Sequence, residues 1–440
     1  LYARERVQGE QHQTDRAKST ERLYSWYLEL ADAAARLLYP QVLRLPQSAP
    51  HTLREHAGPE AALAWLEAER PNLVAATVYA AKHGPRPAAW LLADTLRGYC
   101  WIRRHGLDWL VIAEAGLAAA EAEDEPRAQA AAEFSLGMAN LCLNRYREAI
   151  GHQRRALALC ERGGWDEGRA NALGNLGIVH FELGELELAV DYHQRALKLN
   201  QAGGSLRGEA VNLDNLGHVH LTAGRLAEAG THLHQALELH RRQEDRHSQA
   251  FSCNQLGQLY AWMGLPDEAL AYLSEALTLY QQLGNLNGQA MSLASASAVY
   301  NDLNRPDVAL ELAGQGMELI RQTGDRYTEA VIRNQLGAAH ELSGDHAQAI
   351  EHLDRALCRA RETGARYPEV EALIGLATAQ QAAGETDRAL TLANHALALA
   401  ERVGYRLLAG RTHQLLTRIR GDDTLPPSTL VCAVPSPSRS

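Results

Sequence analysis

Apolar and small residues recur along this chain with a period of 40. A Leu-Gly pair stands at Leu136-Gly137, Leu176-Gly177, Leu216-Gly217, Leu256-Gly257 and Leu336-Gly337, with the eroded pairs Ala296-Ser297 and Leu376-Ala377 in the same register. A second column carries Gly184, Gly224, Gly264, Gly344 and Gly384, and a third carries Ala149, Ala189, Ala229, Ala269, Ala309, Ala349 and Ala389. A fourth reads Ala156-Leu157, Ala196-Leu197, Ala236-Leu237, Ala276-Leu277, Gly316-Met317, Ala356-Leu357 and Ala396-Leu397. A fixed internal period of 20 to 50 residues marks a stacked array of supersecondary units. Within each unit the apolar positions follow helical spacing, as Leu173, Leu176 and His180 do at i, i+3 and i+7.

The pattern predicts seven helical hairpins from about Arg127 to Gly404. Helix A of each carries the Leu-Gly pair, and helix B carries the Ala columns. The column of Gly184 marks the turn between them, where a left-handed backbone closes helix A; Asn144 and Asn304 replace glycine there as the next-best residue type. Small residues such as Gly177, Ala189 and Ala196 mark the closest helix-helix approaches, because any larger side chain would hold the helices apart.

Before the array, Leu23, Trp26, Tyr27, Leu30, Ala34, Leu37 and Leu38 fit one long amphipathic helix from Thr20, ended by Pro40. Leu43 to His51 reads as extended. Two short helices follow, Gly58 to Glu69 and Pro71 to Lys82, with Pro71 as a first helical residue. From Pro87 a longer hairpin with Gly106 at its turn keeps part of the register through Leu96 and Gly116-Leu117, as an atypical terminal repeat does. Tyr405 to Arg420 reads as a capping helix. The division is therefore 1–50, linker and helix; 51–125, helical cap region with a degenerate repeat; 126–420, repeat array with its capping helix; and 421–440, a disordered tail rich in Pro and Ser.

Composition agrees with an all-helical chain: 46% hydrophobic residues, 6% aromatic. A net charge of -10 without a Lys/Arg block lacks the electrostatic footprint of nucleic-acid binding. Six scattered cysteines without CxxC spacing read as reduced core residues of a cytoplasmic protein. No run of 18 apolar residues opens or interrupts the chain, so no membrane span or secretory signal is expected. The start at Leu1 rather than Met suggests a processed product or a piece of a longer polypeptide.

The columns resemble those of tetratricopeptide repeats (TPRs). Leu176-Gly177-Ile178-Val179-His180 and Leu256-Gly257-Gln258-Leu259-Tyr260 match the L-G-x-x-Y step of helix A, and the run from Ala269 to Ala276 matches the A-x-x-x-F-x-x-A step of helix B. The resemblance implies an all-α, right-handed α-solenoid of about seven 40-residue repeats. Six residues beyond the usual 34 imply lengthened helices, as in the subgroup similar to kinesin light chains and bacterial peptide-sensing regulators.

Four segments narrow the resemblance: Leu1 to Arg6, Ala31 to Pro40, Trp65 to Leu73, and Leu96-Arg97-Gly98-Tyr99. Together they resemble the carboxy-terminal half of large Streptomyces antibiotic regulatory proteins of the AfsR-like type. In that family a DNA-binding domain and a nucleotide-binding switch domain precede this region, with Leu1 to Arg6 ending the winged helix of the switch. These 440 residues contain no G-x-x-x-x-G-K-[ST] loop, and Gly-Lys never occurs, so ATP binding by that route is not expected.

TPR proteins turn a second face of helix A toward a concave groove. Here that face reads Asn171, Gly174, Asn175, Ile178; Val211, Asp214, Asn215, His218; Phe251, Asn254, Gln255, Gln258; and later Val331, Asn334, Gln335, Ala338. Side-chain amides donate and accept, so an Asn/Gln ladder suits an extended peptide backbone irrespective of its sequence; a solvated polar helix face would look the same. The candidate ligand-binding residues are Asn171, Asn175, Asp214, Asn215, His218, Phe251, Asn254, Gln255, Gln258, Asn334 and Gln335. Repeat five departs from its neighbours, with Met291, Ala294, Ser295 and Ala298 in the column and Gly316 inside helix B; it reads as an apolar floor, a flexible joint or plain repeat decay.

His218-x-His220 and His232-x-His234 place their rings on different helix faces, which is poor chelation geometry, so no metal is expected. No catalytic motif is present, and neither enzymatic activity nor a cofactor is expected. The reading is a ligand-sensing and protein-interaction domain of a cytoplasmic transcriptional regulator of antibiotic biosynthesis. Its partners would be a peptide, protein or small molecule in the groove and the preceding switch domain, with no nucleic acid or membrane contact. A self-association scaffold of a signalling ATPase, without a small ligand, is the other reading.

Overall fold

A computed structural model describes residues 13–39, 42–46, 56–103 and 105–421. The expected winged-helix end at Leu1 to Arg6, the helix-ending Pro40 and the expected disordered tail at 422–440 lie outside the described residues. Among those described there are twenty α-helices and no strand.

The first five are α1 (Gln13–Leu38), α2 (Pro59–His83), α3 (Arg86–Thr95), α4 (Arg97–Ile102) and α5 (Gly106–Ala122). One helix, α2, replaces the two expected on either side of Pro71, which sits inside it. Proline forfeits one backbone hydrogen bond. The buried stripe of Ala62, Leu66, Leu73, Thr77 and Ala80 nevertheless keeps one face across it, and that packing offsets the lost bond. The segment 42–46 is non-helical, as expected of its start, and is pinned by side chains. Buried Asp94 accepts from the backbone N–H of Leu45 at 2.7 Å and pairs with Arg97 at 3.1 Å, while Arg97 donates to the Leu43 carbonyl.

The seven hairpins follow as α6 (Pro126–Cys142) with α7 (Tyr146–Arg162), α8 (Asp166–Glu182) with α9 (Leu186–Ala202), α10 (Leu206–Thr222) with α11 (Leu226–Arg242), α12 (Arg246–Trp262) with α13 (Pro266–Gln282), α14 (Leu286–Asp302) with α15 (Pro306–Thr323), α16 (Arg326–Leu342) with α17 (His346–Thr363), and α18 (Arg366–Ala382) with α19 (Thr386–Val403). The capping helix α20 spans Arg406–Arg420.

Each sequence column has its packing partner. A Cβ on Gly177, Gly217, Gly257 or Gly337 would lie within 2.6 Å of the side chain 16 residues on, respectively His193, Leu233, Leu273 and Leu353. Helix A therefore approaches helix B more closely than any Cβ permits. Every Ala of the column from Ala149 to Ala389 is fully buried. The turn glycines take positive φ, from 74° to 82°, and Asn144 and Asn304 adopt the same conformation at 57° and 55°. The tyrosine-column residues pack as stacked rings across each hairpin: His180 on Tyr192, His220 on His232, Tyr260 on Tyr272 and His340 on His352, with centroids 5.1–5.4 Å apart.

The chain forms two compact units, residues 1–176 and 177–440, divided inside α8 rather than where the repeat columns begin. In the second unit the array closes on itself. Leu186 and Val190 of α9 and Leu216 and Val219 of α10 share one buried cluster with Val370 and Leu373 of α18, Leu399 and Val403 of α19, and Leu408 of α20. Val403 sits so close to the turn at Gly184 that a Cβ there would approach its side chain to 2.4 Å. Leu407 packs against the next turn at Gly224.

Candidate functional site

Closure of the second unit turns the helix A faces inward around a cavity of about 370 Å³, within the size range of small-molecule sites. Positions spaced i, i+4 and i+7 make its wall: Phe251, Gln255 and Gln258 from α12, Met291, Ser295 and Ala298 from α14, and Val331, Gln335 and Ala338 from α16. The stripe follows from helical geometry, since 3.6 residues per turn return these positions to one face. The array's closing end completes the enclosure with Tyr367, Glu371, Tyr405 and Arg411. Arg411 donates to Asp302 at 2.8 Å and lies 4.8 Å above the Trp262 ring.

Six of the eleven sequence-derived candidates stand on this wall: His218, Phe251, Asn254, Gln255, Gln258 and Gln335. The four repeat-five residues Met291, Ala294, Ser295 and Ala298 stand there too, with Ser295 the one polar side chain among them. Asn171, Asn175, Asp214, Asn215 and Asn334 are not among the lining residues. Asn175 donates to Gln153 at 3.2 Å in the first unit. Asp214 is buried between repeats, where its carboxylate bonds His240 Nε2 at 2.8 Å and accepts from Ser252 at 2.6 Å. Asn334 donates to the Pro368 carbonyl at 3.0 Å. Asp214 and Asn334 share a column with Asn254 and Ala294, which do line the cavity; the column lies at the edge of the stripe, where a side chain reaches either the cavity or a neighbouring repeat.

The wall amides are partly committed to the protein. Gln258 donates to Ser295 at 3.1 Å, and Asn301 donates to the Gln335 carbonyl at 3.1 Å. His218 packs between Phe181 and Phe251, with centroids 4.7 and 6.3 Å away. Burial lowers its pKa to about 4, so the ring is neutral at pH 7.

Glu371 lines the cavity but is not among the candidates drawn from the helix A columns. It continues, by one more step of 40, the column Phe251, Met291, Val331, and brings a carboxylate to an otherwise apolar position. Extending the column into repeat seven would have found it. Burial raises its pKa to about 7, opposed by Arg411 and by a hydrogen bond from the Asn334 side chain, with Asp302 adding slightly to the rise. No group of three or more potential metal ligands clusters among the described residues, and no helix there is long and apolar enough to cross a membrane.

No curated protein is similar enough in sequence to count as a relative. Solved structures resemble the chain in fold. A Rap protein complexed with competence and sporulation factor is 16% identical over 82% of this chain and 92% of that one, with TM-score 0.52. The apo form of the quorum sensor NprR from B. thuringiensis is 12% identical over 76% and 99%, with TM-score 0.51. A signal-transduction ATPase with numerous domains and a tetratricopeptide repeat sensor, from Pyrococcus horikoshii, is 15% identical over 82% of this chain, with TM-score 0.50; the chain spans about half of that protein, 54%. The profile of the tetratricopeptide repeat matches residues 127–202, 213–242, 249–322 and 328–402. These matches cover more than half of the 440 residues, and the chain belongs to the tetratricopeptide-repeat family.

Proposed function

We propose that this chain is a non-enzymatic sensor and interaction domain of a cytoplasmic transcriptional regulator of antibiotic biosynthesis, with its ligand held in the cavity of the second unit. The observation that carries the reading is the aromatic-lined cavity of the second unit, where the repeat array closes on itself. A ligand that fits the closed arrangement better than an opened one shifts the balance between them by its differential affinity. Such a shift is a signal that a neighbouring domain can read. The sensor role is supported by the likeness in fold to the quorum sensor and to the repeat sensor of the signal-transduction ATPase. The antibiotic-regulator role rests on the segments Ala31 to Pro40, Trp65 to Leu73 and Leu96 to Tyr99.

A thermal-shift screen of peptides and metabolites, run in parallel on the wild type and on Ala298→Trp, tests this. Ala298 lines the cavity, and an indole there fills it. Ligands that raise the melting temperature of the wild type and not of the filled variant support the reading. A screen whose hits stabilise both proteins alike sinks it.

A further inference from the structure

Two buried polar atoms of the cavity lining lack a hydrogen-bond partner, and both are acceptors. Asn254, 6% exposed, has a buried Oδ1 without a protein partner. Asn301 spends its amide N–H on the Gln335 carbonyl, which fixes the orientation of its side chain, and its buried Oδ1 is likewise unpartnered. Both residues line the cavity, as does the Glu371 carboxylate. The two arginines on the wall are engaged elsewhere, Arg411 with Asp302 and Arg366 with Glu369, each at 2.8 Å. Glu371 takes a hydrogen bond from the Asn334 side chain and has no salt-bridge partner among the described residues. Buried polar groups require complementary partners, so this cavity favours a ligand rich in donors and positive in charge. The ring of Phe251 on the same wall suits the body of such a ligand and attracts a cation, while the Trp262 ring is already taken by Arg411.

We propose that the cavity takes a small molecule carrying a protonated amine, with its ammonium against Glu371 and the Asn254 and Asn301 amide oxygens. The proposal rests on the reading of the cavity as the ligand site and adds the chemistry of the ligand. An ammonium offers three donors and no acceptor, which matches the leftover set. A peptide amino terminus presents the same group, so the source of the ammonium is an arm of the test.

Titration calorimetry of the full chain with tyramine, N-acetyltyramine and 4-hydroxyphenylacetate compares a cation, a neutral analogue and an anion of one shape. Tyramine is expected to bind about tenfold or more tightly than the other two, and Glu371→Gln to weaken tyramine alone by about tenfold or more. Gln keeps the side chain's shape while removing its charge. A tripeptide Gly-Phe-Gly with a free amino terminus binding better than tyramine, and losing that advantage on acetylation, assigns the ammonium to a peptide. Equal affinity for the three probes, tyramine binding unaffected by Glu371→Gln, or no tyramine binding at millimolar concentration overturns the proposal. The comparison with Ala298→Trp decides separately whether the cavity is a ligand site at all.

Discussion

Arg411 and Asp302, 109 residues apart, meet at 2.8 Å, joining α20 to the end of α14 where Trp262 supports the guanidinium. Both side chains are about half exposed, 46% and 56%, and solvent screens such a pair. Arg411→Ala is therefore expected to lower global stability by no more than about 1 kcal/mol. Its effect is local: amide hydrogen exchange should rise in α18 to α20 and stay unchanged in α12 and α13. Uniform exchange across the second unit would show that this pair does not hold the array closed.

Gly184 and Gly264 occupy the same turn in different repeats, with φ of 79° and 74°. A Cβ on Gly264 meets nothing within 4 Å, whereas one on Gly184 runs into Val403. Alanine at either site pays the left-handed backbone penalty of about 1–2 kcal/mol. Only Gly184→Ala also pushes against the closing contact. Denaturation should show Gly184→Ala the less stable by about 1 kcal/mol or more, and equal losses would mean that the Val403 contact carries no weight in solution.

The raised pKa of Glu371 has a defined sign. The folded state holds the proton up to about pH 7, while an unfolded carboxyl releases it near its ordinary 4.5. Stability from this group is full below that lower value and is lost as pH rises through the window to 7. Glu371→Gln removes the titration. Its stability advantage over the wild type should be near zero at pH 4.5 and reach the order of 3 kcal/mol at pH 8. An advantage independent of pH would place the carboxylate in ordinary solvent.

The stack was legible in the sequence because it is built from residues whose size or backbone alone matters. Gly177 against His193 and Asn144 in the turn needed no knowledge of distant residues. The cavity was half legible. Phe251, Gln255 and Gln258 follow from helical spacing within one repeat, but closure depends on Val403 and Arg411 meeting residues over a hundred positions away, and no local pattern encodes that. Pro71 misled because a helix break is a local expectation, overridden by a continuous buried face. Asp214 falls at the edge of the stripe, where a rotation of one position decides between cavity and repeat interface.

That placement separates stability from binding. Asp214→Ala leaves His240 and Ser252 buried without their partner, and is expected to cost about 2–4 kcal/mol of stability. Tyramine affinity of the folded protein should stay within about twofold, because Asp214 does not line the cavity. Asn254→Ala should do the reverse, weakening tyramine while costing little stability, since its Oδ1 bonds no protein donor. Combined denaturation and calorimetry on both variants checks the pair; a large loss of affinity in Asp214→Ala would return that residue to the site.

Glu244 takes a left-handed conformation, φ 55°, at the inter-repeat turn where Gly164, Gly204, Gly284, Gly324, Gly364 and Gly404 stand. Its side chain is exposed, so no contact compensates the strain. A non-glycine residue there costs about 1–2 kcal/mol, and glycine returns about 0.5–1 kcal/mol of that through the greater freedom of its unfolded chain. Glu244→Gly should therefore stabilise the protein by about 0.5–1 kcal/mol. Glu244→Ala should not, because alanine keeps the Cβ that the conformation disfavours. Equal gains from both variants would trace the effect to removal of the carboxylate near Asp245 rather than to the backbone.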